Sequence, residues 1–143
     1  MEIEDDLISL KLPDATQEES IIKVIGVGGG GSNAVNHMFR QGIHGVEFVV
    51  CNTDIQALRQ SRVKNRIQLG KELTEGRGAG CQPERGRLSA IESMDFIKTI
   101  LEHNTRMVFI TAGMGGGTGT GAAPEIARQA KELGILTIGI VTV

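Results

Sequence analysis

Residues 21–31 read IIKVIGVGGGG, and this stretch decides the fold class. The first seven residues are mostly apolar and β-branched, which is typical of a buried strand. Four consecutive glycines follow, so the strand is predicted to end in a glycine loop that lets backbone approach another group closely. The same order of strand, loop and helix then recurs along the chain.

The first half of the chain alternates apolar runs with helical patterns. Its expected elements are a strand at 21–27, a helix capped by Ser32 or Asn33 and stopped by Gly42, a strand at 46–51, a short helix capped by Asp54 that runs through Leu58, and a weak strand at 66–69. The expected inner face of the first helix is Ala34, Val35, Met38 and Phe39.

The second half opens with a long glycine-containing loop at 70–83. Its expected elements are one helix from Pro83 to about His103 with Leu88, Ile91, Met94, Ile97 and Leu101 buried, a strand at 106–111, a glycine loop at 112–121, a helix with Pro124 near its first turn and Ile126, Ala127, Ala130 and Leu133 facing inward until Gly134 ends it, and a strand at 135–143 buried on both faces. This alternation predicts a Rossmann-like, doubly wound α/β fold, with a mostly parallel sheet and helices on both faces.

Composition excludes several classes of function. The chain has 143 residues, a formal net charge of −2, four Phe and neither Trp nor Tyr, so a nucleic-acid surface is not expected. No apolar run reaches the roughly 20 residues of a membrane span. Cys51 and Cys81 lie thirty residues apart, which favours neither a disulfide framework nor a zinc site. Residues 1–20 are expected to be a flexible acidic tail that is not a secretory leader, and the cytoplasm follows as the default location.

Two glycine clusters fall where a ligand binds in such a sheet, beyond the carboxyl ends of the strands. Backbone N–H groups at helix N-termini bind phosphate without Lys or Arg, so two converging clusters predict a polyphosphate site. A G-K-[ST] sequence is absent, which excludes the Walker lysine mechanism. The first cluster also satisfies G-x-G-x-x-G, with Glu47 or Asp54 as a possible ribose ligand, and tight strand-on-helix packing without a ligand is a further interpretation.

The second cluster is more specific. Residues 115–124 read GGGTGTGAAP, and with 22–33, 52–54, 76–83, 109–124 and 134–142 they resemble the tubulin/FtsZ GTPase superfamily over essentially the whole chain after the tail. The resemblance implies that family's nucleotide-binding domain at 21–143. The nucleotide-binding residues that it implies are Gly28, Gly29, Gly30, Gly31, Ser32, Asn33, Asn52, Asp54, Ala79, Gly80, Gly115, Gly116, Gly117, Thr118, Gly119, Thr120 and Gly121.

The resemblance further implies GTP or GDP as the bound nucleotide, with Mg²⁺ held through the phosphates. It implies head-to-tail polymerisation with copies of itself, contacts with other division proteins, no direct membrane insertion, and a cytoplasmic location at the mid-cell division ring. In the family the catalytic acidic loop lies in the second half of the chain, so these 143 residues are expected to be a first part with no catalytic residue and no metal ligand. An NAD-dependent oxidoreductase and a plasmid-partitioning tubulin relative remain as alternatives.

The long loop departs from the family pattern at Arg77, Cys81, Gln82 and Arg85. The two arginines are interpreted as solvated charges, with contact to a terminal phosphate or a neighbouring subunit as the alternative. Cys81 lacks an adjacent base and is expected to be inert, and Cys51 is expected to be a small buried hydrophobe.

Overall fold

The computed structural model describes residues 21–143, and the expected tail at 1–20 lies outside the described residues. Five strands form one parallel sheet: β1 (Ile22–Val27), β2 (Glu47–Asn52), β3 (Asn65–Gln68), β4 (Met107–Gly113) and β5 (Leu136–Thr142). Their spatial order is β3-β2-β1-β4-β5. The predicted doubly wound sheet is therefore confirmed, and its order reverses direction between β1 and β4.

Helices cover both faces of the sheet. They are α1 (Gly28–Arg40), α2 (Ile55–Gln60), α3 (Lys71–Thr74), α4 (Pro83–Glu92), α5 (Met94–Glu102) and α6 (Thr118–Glu132). Alternate residues of β1 supply two separate cores: Val24 packs with Val35 and Leu58 beneath α1 and α2, whereas Ile25 packs with the apolar faces of α4, α5 and α6. Within residues 21–143, each helix is too short or too polar to span a bilayer.

Several predicted boundaries are confirmed. Asp54 caps α2 by accepting hydrogen bonds from the backbone N–H groups of Gln56 and Ala57, at 2.9 and 3.3 Å. The weak third strand exists, and Pro83 occupies the first turn of α4. Gly42 lies two residues past α1, where its N–H donates to the carbonyl of Phe39. Short-range cap chemistry was therefore a sound guide to these ends.

Both helices after the glycine loops begin earlier than predicted. The proposed cap at Ser32 or Asn33 is wrong, because α1 already begins at Gly28 with Val27 in the N-cap position. In the same way α6 begins at Thr118, which leaves Pro124 in the helix interior. Glycine has poor helix propensity, and here tertiary packing overrides it. The consequence is that glycines supply the free N–H groups at the start of α1, and that Thr118, Gly119 and Thr120 supply them at the start of α6.

The single helix predicted from Pro83 to His103 is broken at Ser93, which lies between α4 and α5. Ser93 Oγ accepts from the N–H of Gly70 at 3.1 Å and lies 3.3 Å from the carbonyl oxygen of Gln68, so the break is tied to the end of β3. Leu88 and Ile91 were predicted to be buried but are 40% and 47% exposed. The spacing of apolar residues gave the wrong buried face for α4, because the helix turns its small residues inward instead.

That small-residue face packs α4 against α6 by direct backbone contact. A Cβ on Gly86 would collide with the carbonyl oxygen of Gly117, and one on Gly121 would collide with the carbonyl oxygen of Pro83. Gly86, Ser89 and Ala90 are the buried residues of α4. The two helices can approach this closely only because glycine has no side chain.

The last strand is also less buried than predicted. β5 pairs with β4 alone in the described chain, and Leu136, Ile140 and Val141 are 61%, 52% and 54% exposed. The prediction of a strand buried on both faces is wrong for residues 21–143. An apolar run indicates that a strand is suited to burial. Whether β5 is buried also depends on a neighbouring strand and on helices that cover its faces, and the apolar pattern does not predict these.

The amino edge of the sheet, where the strands begin, contains a buried cation. Lys23 is 1% exposed, and its ammonium donates to the carbonyl oxygen of His103 at 2.5 Å and to Thr105 Oγ1. Glu47, its register partner on β2, lies 3.6 Å away. Burial lowers the pKa of Lys23, and the charge and hydrogen bond of Glu47 oppose that shift. Lys23 thus ties β1 to β2 and to the segment that leads into β4.

Candidate functional site

The first glycine turn (28–31) and the second glycine turn (114–117) meet at the carboxyl edge of the sheet, where the strands end. They follow β1 and β4, which are adjacent strands. Gly28 has φ +75°, and a Cβ on it would lie 2.9 Å from the backbone nitrogen of Gly119. A Cβ on Gly30 would lie 3.4 Å from the Cα of Gly113. The structure therefore brings the two predicted clusters together, at the place where the strand order reverses and α/β sheets bind ligands.

This edge is rich in unused backbone donors. The first N–H groups of a helix have no partner within the helix, and both α1, which begins at Gly28, and α6, which begins at Thr118 after Gly117, have their N-termini here. Gly29, Gly30 and Gly115 are exposed, while Gly116 and Gly117 are half-buried. The helices have 13 and 15 residues, so both direct the positive end of a helix dipole at the same space. The arrangement suits a multiply charged anion.

A side-chain group also awaits a partner near the first turn. Among residues 21–143, Ser32 Oγ is buried and has no hydrogen-bond partner. Buried hydroxyls in folded proteins are almost always paired, so an unpaired one beside a row of free amides fits a group that binds a ligand. Asn33, the next predicted residue, is exposed on α1.

Hydroxyl groups order the second turn. Thr120 Oγ1 accepts from the N–H of Gly115 at 3.0 Å, which closes the turn over the start of α6. Thr118 Oγ1 lies 2.7 Å from Thr53 Oγ1, and both residues are buried. Thr53 was not among the predicted site residues. Its sequence position, directly after a buried strand, does not show that its hydroxyl meets Thr118.

Asn52 and Asp54 lie at the same edge, but part of each side chain serves the local turn. Asn52 Oδ1 accepts from the N–H groups of Thr53 and Asp54, at 2.8 and 3.3 Å. Asp54 Oδ1 caps α2, as described above. These bonds fold the chain sharply after β2, in the manner of an Asx turn. The turn is what places Thr53 under the second glycine turn.

The long loop lies directly on the second glycine turn. Ala79 is 4% exposed, and its Cβ is 2.8 Å from the position that a Cβ on Gly117 would take. The backbone nitrogen of Gln82 is 2.9 Å from the same position. Gly80 is exposed beside them. The loop at 75–82 is therefore packed against Gly117, at the edge where the free amides lie.

The four positions that depart from the family pattern have different surroundings. Arg77 is exposed and lies 3.9 Å from the carboxylate of Glu75, as expected for a solvated charge. Arg85 is half-buried and donates to the carbonyl oxygen of Leu73 at 3.0 Å, so it holds the loop as well as carrying charge. Cys81 and Gln82 are exposed.

The remaining titratable groups do not converge on this edge as a cluster. Within the described residues, no group of three or more His, Cys, Asp or Glu is placed to hold a metal ion. Cys51 is fully buried, and burial raises its pKa to about 12, so the thiol stays protonated and behaves as the small hydrophobe that was predicted. The hydrogen-bond donors described at this edge are accordingly amides and hydroxyls, with the carboxylate of Asp54 beside them.

Comparison with known proteins gives the class. The family described as "Tubulin/FtsZ family, GTPase domain" matches residues 21–143. This chain belongs to the tubulin/FtsZ family. That membership does not favour the NAD-dependent oxidoreductase that the first glycine turn left open.

Several curated relatives of the chain are cell division proteins of bacteria. The chain is 59% identical over 130 residues to cell division protein FtsZ of Buchnera aphidicola, covering 91% of this chain and 34% of that protein. It is 60% identical over 121 residues to cell division protein FtsZ of Aquifex aeolicus, covering 85% of this chain and 33% of that protein. The chain thus spans about a third of the length of the curated relatives that it matches. Names of this kind do not favour plasmid partitioning.

Solved structures agree with the fold. An empty FtsZ dimer of M. jannaschii superposes with a TM-score of 0.84 at 43% identity, over 90% of this chain and 37% of that one. A GTPγS-bound protofilament of CetZ2 from Haloferax volcanii superposes with a TM-score of 0.74 at 24% identity, over 84% of this chain and 39% of that one, which shows the fold alone.

Proposed function

We propose that this chain is the nucleotide-binding part of a GTP-dependent filament protein of cell division. The observation that carries the proposal is the contact between Gly28 and Gly119, which joins two helix N-termini at one sheet edge. A guanosine polyphosphate would receive its hydrogen bonds from the glycine N–H groups, from Thr118 and from the unpaired hydroxyl of Ser32. Because these donors are main-chain or neutral groups, a chain of net charge −2 can bind a polyanion.

The metal would come with the nucleotide. Mg²⁺ at nucleotide sites usually keeps several waters and is bound largely through phosphate oxygens. The donor set at the carboxyl edge within residues 21–143 consists of amides and hydroxyls, which suits the phosphates rather than a resident cation. Bound there, the metal would neutralise phosphate charge, and the residues of this chain would orient the phosphates.

The loop at 75–82 is proposed to sense the terminal phosphate. It already rests on the second glycine turn through Ala79 and Gln82. An additional phosphate beside these residues would be in reach of further loop N–H groups, and its loss would release them. Nucleotide-sensing loops generally behave in this way. In this chain the loop meets the second glycine turn through the Cβ of Ala79 and the backbone nitrogen of Gln82.

Hydrolysis and assembly are proposed to be coupled. The proposal follows the family resemblance, which implies a catalytic acidic loop supplied by the next subunit of a head-to-tail polymer, and the solved FtsZ dimer of M. jannaschii supports self-association of a relative. The relatives named for cell division support a place for the filament in the division ring, in the cytoplasm, with other division proteins as partners. The nucleotide-binding part itself would contribute no catalytic residue.

Nucleotide-dependent stabilisation tests the binding proposal. We expect GDP or GTP with Mg²⁺ to raise the melting temperature of the chain, whereas NAD does not. At a nucleotide concentration about a hundredfold above Kd, the free energy of unfolding rises by about 2.7 kcal/mol. Each kcal/mol raises the melting temperature of a domain of this size by roughly 2 to 4 °C. Differential scanning fluorimetry at matched nucleotide concentrations measures it. An equal or larger shift with NAD would reverse the assignment.

Matched glycine variants place the phosphates. A Cβ at Gly29, Gly116 or Gly139 would have no heavy atom within 4 Å, so each alanine variant should fold. Gly29 and Gly116 lie in the two turns, and Gly139 lies in β5. We expect G29A and G116A to weaken GDP binding by at least about tenfold, because a methyl group blocks phosphate approach, while G139A does not. Equal affinities by calorimetry would place the phosphates elsewhere.

GTP turnover tests the assembly proposal. We expect this chain alone to hydrolyse GTP negligibly, and turnover to appear when a full-length subunit supplies the missing loop. Phosphate release measured over a range of protein concentrations distinguishes turnover by the chain alone from turnover that requires a second subunit. Robust turnover by this chain, independent of its concentration, would show that it carries its own catalytic group.

A further inference from the structure

We infer that Thr53 is a positioning residue that aims the hydroxyl hydrogen of Thr118 at the phosphate of the bound nucleotide. The inference rests on the proposed function and adds a residue to it. Its basis is the hydrogen bond of 2.7 Å between the two hydroxyl oxygens, which links the end of β2 to the first residue of α6.

Thr53 is held rigidly enough to direct a neighbour. It is 0% exposed, its N–H donates to Asn52 Oδ1 at 2.8 Å, and its carbonyl oxygen lies 3.4 Å from Thr74 Oγ1. A threonine side chain is branched at Cβ, so its χ1 angle is restricted as well. Both the backbone and the side chain of Thr53 are therefore fixed before any ligand arrives.

Counting donors decides which way the bond must run. A hydroxyl has one hydrogen to donate and two lone pairs to accept with. Either threonine can be the donor when nothing else competes. A phosphate oxygen only accepts, so the hydrogen of Thr118 must point to the phosphate whenever nucleotide is bound. Thr53 must then donate to Thr118 Oγ1, and it is the partner that makes this orientation favourable.

The position of Thr118 gives the effect its direction. Thr118 is 9% exposed and is the first residue of α6, directly after the second glycine turn. A buried hydroxyl without a partner loses hydrogen-bond energy that water cannot restore. With Thr53 in place, Thr118 both donates to the phosphate and accepts from a protein group. Without the Thr53 hydroxyl, one of these two requirements is unmet.

The test is a double-mutant cycle on nucleotide affinity. Thr53→Val keeps the branched shape and removes the hydroxyl, and Thr53→Ser keeps the hydroxyl and removes the methyl group. We expect T53V to weaken GDP binding by up to about tenfold in calorimetry, the factor for one hydrogen bond, and T53S to bind nearly as the unchanged chain does. In a T118V background, T53V should have no further effect on affinity.

Melting temperatures measured without nucleotide separate positioning from folding. T53S leaves a small cavity and T53V leaves the buried Thr118 hydroxyl unpaired, so both variants can lose stability; a purely structural role predicts that the loss of GDP affinity follows the loss of melting temperature across the two. The inference predicts that binding follows the hydroxyl. Unchanged GDP affinity in T53V, or the same loss in the T118V background, would overturn the inference while the proposed function stood. Failure of the unchanged chain to bind GDP would overturn both.

Discussion

The two edges of the sheet are built from opposite materials. At the carboxyl edge, two glycine turns leave a row of backbone N–H groups free, beside two buried threonine hydroxyls that bond to each other. At the amino edge, Lys23 is enclosed and fully engaged by His103, Thr105 and Glu47. The two edges therefore have different roles. At the amino edge the polar groups pair with one another and hold the strands together, and at the carboxyl edge backbone donors remain available to a ligand.

The largest expected effect tests the holding edge. Lys23→Met should lower the free energy of unfolding by about 2 to 3 kcal/mol, because it removes a buried charged donor and leaves its acceptors unpaired. Lys64 is exposed, so Lys64→Met is a matched control that should change stability by less than about 0.5 kcal/mol. Urea denaturation gives both numbers.

The comparison breaks if Lys23 also serves the ligand. At a temperature where the variant is folded, K23M should bind GDP with the affinity of the unchanged chain. A K23M protein of normal stability, or one that is folded but binds GDP ten times more weakly, would show that the two edges do not divide the work in this way.

The next effect concerns Cys51, which lies near the carboxyl end of β2. Its pKa in the folded chain is about 12 against an ordinary value of 9.0, so the folded state keeps a proton that the unfolded state loses. The contribution of this thiol to stability is full below pH 9 and is lost as pH rises toward 12. We expect the unchanged chain to lose stability relative to C51A by up to about 1.4 kcal/mol per pH unit in that window.

Denaturation curves of the two proteins between pH 8 and 10.5 measure this difference, because the Cys51 thiol of the unfolded chain changes from protonated to ionised within that range. Parallel pH profiles would mean that water reaches Cys51 beneath the turns. In that case a thiol reagent would modify Cys51 as fast as the exposed Cys81, which serves as the internal reference.

A smaller effect distinguishes the two uses of Asp54. Asp54→Ala should cost about 1 kcal/mol of stability through loss of the α2 cap, whereas Asp54→Asn, which can accept the same hydrogen bonds, should cost little. Thermal unfolding checks both. If D54N were as unstable as D54A, the carboxylate charge rather than the cap would be what this edge requires.

Sequence reasoning reached the order of elements, the parallel sheet and the convergence of the two glycine turns, because strand composition, helix stops and strand ends are local signals. It failed where tertiary packing decides. The break at Ser93 depends on a bond to Gly70 from a distant strand end. The exposure of Leu88 follows from the glycine contact between α4 and α6.

The candidate site divides in the same way. Glycine runs are visible in a sequence, so the closeness of the two clusters at adjacent strand ends was predicted correctly, while their role as phosphate donors stays a prediction. Thr53 was not predicted, since a single threonine between Asn52 and Asp54 carries no pattern, and its importance exists only through a partner 65 positions away. Local rules locate helix ends and turns, but they do not reveal which hydroxyls face each other.

The contact of α4 with α6 has a mechanical consequence. Where Gly86 meets the Gly117 carbonyl and Gly121 meets the Pro83 carbonyl, no rotatable group lies between the two main chains. Such a junction has almost no compliance, because there is no rotamer to swing aside and absorb a displacement. A displacement of a few tenths of an ångström in the second turn would therefore move α4 by a similar distance. The exposed side chains of Leu88 and Ile91 would move with it.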